Sequence, residues 1–325
     1  MPRPLKQQRN DHMINGIINV YKEPGFTSHD VVAKLRGITK QKKIGHTGTL
    51  DPDAAGVLPV CLGRATKAAG LLTDERKTYQ CVLLLGKVTD TQDAGGNLLR
   101  ECTTEGISES RAREVILSFL GPRMQIPPMY SARKINGKRL YELAREGRTV
   151  EREARPVVFY RIDILETALP RVTFSVTCSR GTYIRTLCND IGEALGCGGC
   201  MEHLVRTQVG PFSLNDARKL AEIEQLAADG TLDLCVQPVD QLFEDLKALR
   251  ALPEGDRLLH NGNPVVPELL EEASRLMLKQ EETPPESAGR YRMYDSTGVF
   301  VGLFSRKGSC LRPETMFYEK PEDQA

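Results

Sequence analysis

Apolar residues along this chain occur in two patterns, short continuous runs and groups with helical spacing. The runs predict strands at residues 14–20, 57–62, 78–85, 157–165 and 172–178. The helical spacing, together with capping residues and glycine stops, predicts helices over residues 27–37, 64–72, 108–120 and 182–195. Ser108 is a suitable N-cap, and Gly196 a suitable stop. Interspersed strands and helices, with strands in the majority, predict an α+β fold: a mixed, mainly antiparallel sheet flanked by helices.

The pattern changes character towards the C-terminus. Residues 216–246 are helical and acidic, whereas residues 291–304 read as two strands around a turn at 296–298. A chain of 325 residues exceeds the usual length of one domain. We therefore expect a disordered tail at residues 1–12, a large main domain at 13–247 and a small second domain at 248–325. A polar segment at 271–289 is expected to be a mobile excursion, and residues 318–325 are expected to fray.

The charge is nearly balanced overall but uneven locally. The net charge is +1 and the isoelectric point about 7.5, which is not typical of a basic RNA-binding domain. Residues 133–148 nevertheless contain six basic side chains against two acids. Three lysines at 40, 42 and 43 form a second basic cluster. Such clusters are suited to a phosphate backbone, but solvated helix faces carry them too, so charge alone leaves both interpretations open.

Composition argues against several classes of protein. The chain has no apolar run of 18 residues and no apolar secretion signal, so we expect a cytoplasmic protein without a membrane span. Its nine cysteines lack a regular framework and are predicted to be reduced thiols. Cys197 and Cys200 form a C-x-x-C pair with only His203 nearby, which is insufficient for a predicted metal site. No P-loop or dinucleotide motif follows a strand, and no cofactor is predicted.

The most informative segment runs from Lys43 to Lys67, K-I-G-H-T-G-T-L-D-P-D-A-A-G-V-L-P-V-C-L-G-R-A-T-K. Pro52 directs Asp51 away from helical backbone, and the glycines permit turns or close contact with a partner. A carboxylate on such a loop, directly before a buried strand, is well placed for chemistry. Asp-Pro pairs are also common turn caps, and spacing alone favours that simpler role.

The motifs around this segment resemble the TruB family of tRNA pseudouridine synthases, of the bacterial type. The similarity covers residues 14–210 in the family's order and includes G-H-T-G-T-L-D-P, K-T-Y-Q, G-K-V-T-D-T-Q-D-A-G-G, Q-I-P-P-M-Y-S-A-R-K and C-S-R-G-T-Y-I-R. The resemblance implies the pseudouridine synthase fold and, less clearly, a C-terminal β-barrel of the PUA type. It also implies isomerisation of uridine 55 in the tRNA T-arm by base flipping, with neither cofactor nor metal.

The resemblance also assigns catalytic residues. Asp51 matches the family's essential carboxylate, Arg185 the arginine that pairs with it, and Tyr79 the tyrosine that stacks on the target base. Considered singly, the arginine would be an ordinary salt-bridge partner and the tyrosine a core residue. The carboxylate could attack C1′ of the ribose, assist loss of the C2′ proton or add to C6 of the base, and the sequence does not distinguish these routes.

Substrate contacts are implied in the same way. The matching positions are His46, Lys67, Tyr183, Leu204, Tyr130, Arg133 and Lys134. The last three lie in residues 124–152, a basic insertion that resembles the family's thumb and that we call the thumb. His46 is assigned an RNA contact, although a local backbone hydrogen bond is equally compatible.

Two further expectations concern electrostatics and partners. Asp53 would share a face with Asp51 in an extended strand and raise its pKa, unless the loop bends Asp53 away or Arg185 offsets it. The expected partner is the T-stem-loop of tRNA, bound by a monomer without a guide RNA. The alternatives are a guide-dependent enzyme and a tRNA-folding module without catalysis. The basic thumb and the absence of long lysine-rich tails favour the stand-alone enzyme.

Overall fold

The computed structural model describes residues 13–135, 137–280 and 289–318. The predicted tail at 1–12, residues 281–288 of the polar excursion and the chain end at 319–325 lie outside these ranges. None of the helices within them has the length and apolar content needed to cross a lipid bilayer.

The strands are β1 (Gly16–Lys22), β2 (Ile44–His46), β3 (Ala55–Leu62), β4 (Lys77–Leu85), β5 (Lys87–Thr89), β6 (Leu98–Glu101), β7 (Gly121–Gln125), β8 (Lys134–Ile135), β9 (Lys138–Arg139), β10 (Arg155–Ala168), β11 (Arg171–Cys178), β12 (Gly199–Val209), β13 (Phe212–Ser213), β14 (Val236–Gln237), β15 (Lys247–Arg250), β16 (Arg290–Tyr294), β17 (Phe300–Lys307) and β18 (Cys310–Met316). The helices are α1 (Ser28–Thr39), α2 (Ala69–Asp74), α3 (Glu109–Ser118), α4 (Leu140–Arg145), α5 (Ile184–Leu195), α6 (Leu220–Ala228), α7 (Pro253–His260) and α8 (Glu272–Gln280).

A ten-stranded sheet forms the body of the protein. Its strands follow the order β14-β1-β3-β12-β4-β11-β10-β7, with β2 paired to β3 and β13 paired to β12. The β3–β12 pair is parallel, whereas its other strand pairs are antiparallel. The predicted mixed, mainly antiparallel sheet is therefore confirmed. One large apolar cluster joins α3 and α5 to β4, β10, β11 and β12.

The helices follow local sequence signals closely. The Ser108 side chain accepts a hydrogen bond from the Arg111 amide and caps α3. Gly196 ends α5 with a φ of 76°. The helix predicted at 64–72 instead divides into a 3-10 segment, Gly63–Ala68, and the short α2. Thr66 Oγ1 donates to the Gly63 carbonyl at 2.8 Å, which stabilises the tighter turn.

A second, four-stranded sheet, which we call the C-terminal sheet, has the order β15-β16-β17-β18. Its outer strands do not pair with each other in the described part of the chain, so the expected closed barrel is corrected to an open sheet. The polar segment also differs from expectation, because α8 occupies its first half and buries Leu278. Leu303 and Phe317 share an apolar cluster with Ile17 and Val57, so the C-terminal sheet packs against the main body.

Candidate active site

Asp51 lies in a loop between β2 and β3, residues 47–54, which we call the Asp51 loop. Buried groups hold the backbone of this loop on several sides. Lys22, fully buried, donates through Nζ to the Pro52 carbonyl at 2.9 Å. Burial lowers the pKa of Lys22 to about 8. The Ser28 hydroxyl accepts from the Leu50 amide at 3.0 Å. These bonds give the carboxylate a fixed support, which the pattern of glycines alone did not predict.

The structure brings Asp51 and Arg185 into direct contact. Arg185 lies in the first turn of α5 and is 6% exposed in its side chain. Its Nε is 2.9 Å from one Asp51 carboxylate oxygen, and NH2 is 3.1 Å from the other. The same guanidinium donates to the carbonyls of Tyr130, at 2.8 Å, and Thr91, at 3.1 Å. A two-point contact of this kind fixes the orientation of the carboxylate.

Asp93 is a second acid that faces Arg185. Its carboxylate is 3.6 Å from Arg185 NH1. Burial raises the pKa of Asp51, Arg185 lowers it and Asp93 raises it, with a net result above the ordinary value. Asp53 is exposed, because a turn closed by the bond from the Ala54 amide to the Asp51 carbonyl carries it outward. Asp93, rather than Asp53, is therefore the acid whose negative charge raises the pKa of Asp51.

Tyr79 and Leu204 lie on neighbouring central strands, β4 and β12. Both are buried and belong to the apolar cluster that also contains Leu50, the residue before Asp51. Burial raises the pKa of the Tyr79 phenol to about 12, and the Arg206 guanidinium opposes the rise. Tyr79 is therefore a neutral phenol near neutral pH, on an apolar surface suited to a nucleobase.

His46 and Tyr183 are held by backbone hydrogen bonds. The Gly48 amide donates to His46 Nδ1 at 3.3 Å, and burial lowers the pKa of His46, which favours the neutral ring. Tyr183 is the N-cap residue of α5. The buried Gln125 amide accepts from the Tyr183 N–H at 2.8 Å and donates to its carbonyl at 3.0 Å. Both residues retain partial exposure and can still contact a ligand.

The thumb contributes Tyr130, whose carbonyl contacts Arg185, and the cations Arg133 and Lys134. Arg133 is half-buried and Lys134 is exposed. The thumb has its own small apolar cluster, built on Met129, Leu140 and Leu143. Lys67 lies elsewhere: its Nζ donates to the Met316 carbonyl at 2.7 Å, at the contact with the C-terminal sheet. The catalytic and substrate-binding roles assigned to these residues stay predictions.

Four residues of the site were not predicted from the sequence: Lys22, Asp93, Gln125 and Arg206. Asp93 stands within the T-D-T-Q-D motif, which was an available signal. Gln125 likewise opens the Q-I-P-P-M-Y-S-A-R-K motif, whereas Lys22 and Arg206 reach carbonyls 30 or more positions away in the chain. Their roles depend on backbone carbonyls and amides that no sequence pattern identifies.

The side chains of the C-x-x-C segment and His203 are not arranged as metal ligands. Cys197 and Cys200 are buried, whereas His203 is exposed. Burial raises the pKa of the Cys200 thiol to about 11, which disfavours the thiolate that a metal would need. Within the described ranges, no three His, Cys, Asp or Glu side chains group as metal ligands.

Comparison with known proteins places the chain in a family. Residues 36–184 match the model of the TruB family pseudouridylate synthase N-terminal domain, and residues 185–244 match that of the tRNA pseudouridylate synthase B C-terminal domain. A Lachnoclostridium phytofermentans protein named tRNA pseudouridine synthase B is 48% identical, over 94% of this chain and 100% of its own. A Clostridium perfringens protein of the same name is 42% identical, with the same coverage.

Solved structures agree with this result. The archaeal box H/ACA sRNP Nop10–Cbf5 complex contains a chain that is 26% identical, with a TM-score of 0.68 over 98% of this chain and 90% of that one. A chain of an H/ACA RNP bound to a substrate RNA containing 2′-deoxyuridine has a TM-score of 0.68 at 23% identity, over 99% of this chain and 94% of that one, and shows the shared fold. The present chain therefore belongs to the TruB family of pseudouridylate synthases.

Proposed function

We propose that this protein isomerises uridine 55 in the T-arm of tRNA to pseudouridine, as a cytoplasmic monomer that needs neither a cofactor nor a guide RNA. The observation that carries the proposal is the Asp51–Arg185 pair, held on a braced loop beside a buried tyrosine. The names of the relatives, tRNA pseudouridine synthase B, support tRNA as the substrate. All nine cysteines are unpaired, which is compatible with a reducing compartment.

The arrangement suits an exchange of one glycosidic bond for another. The C–N bond of uridine breaks, a C–C bond forms, and the base exchanges its C5 proton for one on nitrogen, so no redox partner is required. Arg185 favours the ionised form of Asp51 in a partly desolvated site. The carboxylate is then available for attack at C1′, for assisting loss of the C2′ proton, or for addition at C6.

The thumb provides side chains that can hold the loop of the tRNA arm after the target base has been extruded. Extruding a base from a folded arm costs a few kcal/mol of stacking and pairing, which the protein must offset. Tyr130 offers a ring for stacking, and Arg133 and Lys134 offer positive charge for phosphates. Because the Tyr130 carbonyl accepts from Arg185, the base of the thumb directly contacts the catalytic pair.

Tritium release from a [5-³H]uridine-labelled tRNA transcript, without guide RNA, tests the reaction. We expect release with the wild type, none with Asp51→Asn, and similar tRNA binding by both proteins. Asp53→Asn is the matched control, since that acid is exposed, and it should release tritium normally. Release by Asp51→Asn at the wild-type rate would refute the role of Asp51.

A second transcript, with cytidine at position 55, tests the site of reaction. We expect this transcript to release no tritium, and release from it would move the target to another uridine. Binding without release by the wild-type protein would instead indicate the non-catalytic RNA-folding module. Release only after a guide RNA is added would indicate the guide-dependent class of enzyme.

A further inference from the structure

Arg206, on β12, is a deeply buried cation. It is 1% exposed and, among the residues that the structure describes, the largest of the fully buried side chains. Within the described residues it forms no ion pair with a carboxylate, unlike Arg185. Burying an uncompensated charge is costly, and burial lowers the pKa of Arg206 accordingly. A residue of this kind calls for an explanation beyond filling the core.

The guanidinium of Arg206 holds the backbone around the Asp51 loop. Nε donates to the Val57 carbonyl at 2.7 Å, NH2 to the Gly48 carbonyl at 3.3 Å and NH1 to the Thr49 carbonyl at 3.5 Å. The parallel pairing of β3 with β12 places Gly56 beside Arg206. A Cβ on Gly56 would lie 2.2 Å from the Arg206 carbonyl oxygen, so only glycine permits this approach.

The same guanidinium lies beside the Tyr79 hydroxyl. Arg206 and Tyr79 are direct partners in the antiparallel β4–β12 register, so both side chains project from the same face of the sheet. Burial is the largest influence on the pKa of the Tyr79 phenol and raises it; among the neighbouring side chains, Arg206 lowers this pKa, whereas Cys178 on β11 and Asp51 raise it. Arg206 is thus the cation that offsets the burial of this phenol.

We propose that Arg206 is a positioning residue that holds the Asp51 loop and the Tyr79 hydroxyl on one guanidinium, so that the carboxylate and the phenol face a substrate in a single geometry. The inference rests on the proposed function for its role in turnover, but the contact itself is independent of it. Because the guanidinium is charged, it also favours any step in which negative charge develops on the phenol oxygen. A neutral side chain of similar size would keep the packing and lose both effects.

The contact can be tested without RNA. Difluorotyrosine, whose phenol is more acidic than that of tyrosine, is placed at position 79 and titrated by ¹⁹F NMR. We expect Arg206→Met to move the titration to higher pH, and Arg206→Lys to move it less. Lys22→Met is the matched control, since Lys22 also braces the loop but does not act on Tyr79, and it should leave the titration unchanged. Superimposable titrations of the wild type and Arg206→Met would overturn the proposal.

A kinetic cycle tests the consequence for turnover. Arg206→Met should lower kcat by about 100-fold, the scale of a misplaced reacting group, with the KM for tRNA nearly unchanged. Because part of the Arg206 effect acts through Tyr79, the double variant with Tyr79→Phe should lose less than the product of the two single losses. Losses that multiply would show independent roles and refute the coupling.

A conservative variant covers the case in which Arg206→Met does not fold. Arg206→Lys keeps the charge, but its single nitrogen cannot occupy the three positions from which Nε, NH1 and NH2 donate, so we expect a titration close to the wild type with a reduced kcat. Wild-type kcat in this variant would refute the bracing of the loop. If the titration shifts as expected while the wild type releases no tritium from tRNA, the proposed function fails and the contact stands.

Discussion

Replacing Arg185 by methionine should have two effects that can be separated by pH. The substitution removes the cation shared by Asp51 and Asp93 and the donor to the Thr91 and Tyr130 carbonyls. We expect a less stable protein with at least about a 100-fold lower rate of tritium release, because the carboxylate loses its orientation.

The stability loss can be estimated from these contacts. Removing one member of a buried ion pair costs about 3–5 kcal/mol, and the lower end applies because the Asp51 side chain is 38% exposed. Each lost bond to a carbonyl adds about 1 kcal/mol, for a total near 5 kcal/mol. Only the ionic part depends on the protonation of Asp51.

The sign of the pH dependence follows from the direction of the pKa shift. The pKa of Asp51 is already above its unfolded value, and removing Arg185 raises it further. A raised pKa of an acid in the folded state means that stability falls as pH rises from the unfolded pKa towards the folded one. The loss in free energy of unfolding caused by Arg185→Met, relative to the wild type, should therefore be smaller near pH 4 than near pH 7.5.

Urea denaturation of both proteins at several pH values measures this deficit. Arg185→Lys is the control, since it keeps the charge and should restore much of the ionic part but not the two-point geometry. A deficit of the same size at pH 4 and pH 7.5 would show that the loss is one of packing and that charge compensation is not the role of Arg185.

Three further predictions concern the support of the site and RNA binding. Lys22→Met should lower the free energy of unfolding by about 2–3 kcal/mol, since it removes charged bonds to carbonyls. Because the pKa of Lys22 is lowered to about 8, the stability advantage of the wild type should widen as pH rises from 8 towards 10.5. An advantage that stays constant over this range would contradict the prediction. Gly56→Ala should cost more than about 3 kcal/mol of unfolding free energy, because φ is +110° and the new Cβ would lie 2.2 Å from the Arg206 carbonyl oxygen. Gly37→Ala in α1, whose Cβ would meet no atom within 4 Å, is the control and should stabilise by up to about 1 kcal/mol. The third prediction neutralises four thumb cations together, Arg133, Lys134, Lys138 and Arg139. This change should weaken tRNA binding and reduce the slope of log affinity against log salt by about 0.7–0.9 for each lost phosphate contact. Arg161→Gln, an exposed cation outside the thumb, is the control, and an unchanged slope in the thumb variant would show that the thumb does not contact RNA.

Local signals predicted the strands of the C-terminal sheet but not how those strands pair with one another. Alternating residues around the 296–298 turn predicted the strands that became β16 and β17, since strand formation depends on nearby residues. The barrel expectation was wrong because closure depends on a pairing between distant strands, which alternation does not encode. The polar composition of 271–289 concealed α8, which the buried Leu278 and Ser274 anchor to the C-terminal sheet.

The sequence by itself determined the Asp-Pro loop before a buried strand, the caps of α3 and α5 and, through resemblance, which acid, arginine and tyrosine to examine. Only the tertiary structure decided the electrostatics of that site. Arg185 is 134 positions from Asp51 in the chain, and the second acid proved to be Asp93 rather than the adjacent Asp53. Burial and distance set a pKa, and both arise only when β3, β4, β12 and α5 pack together.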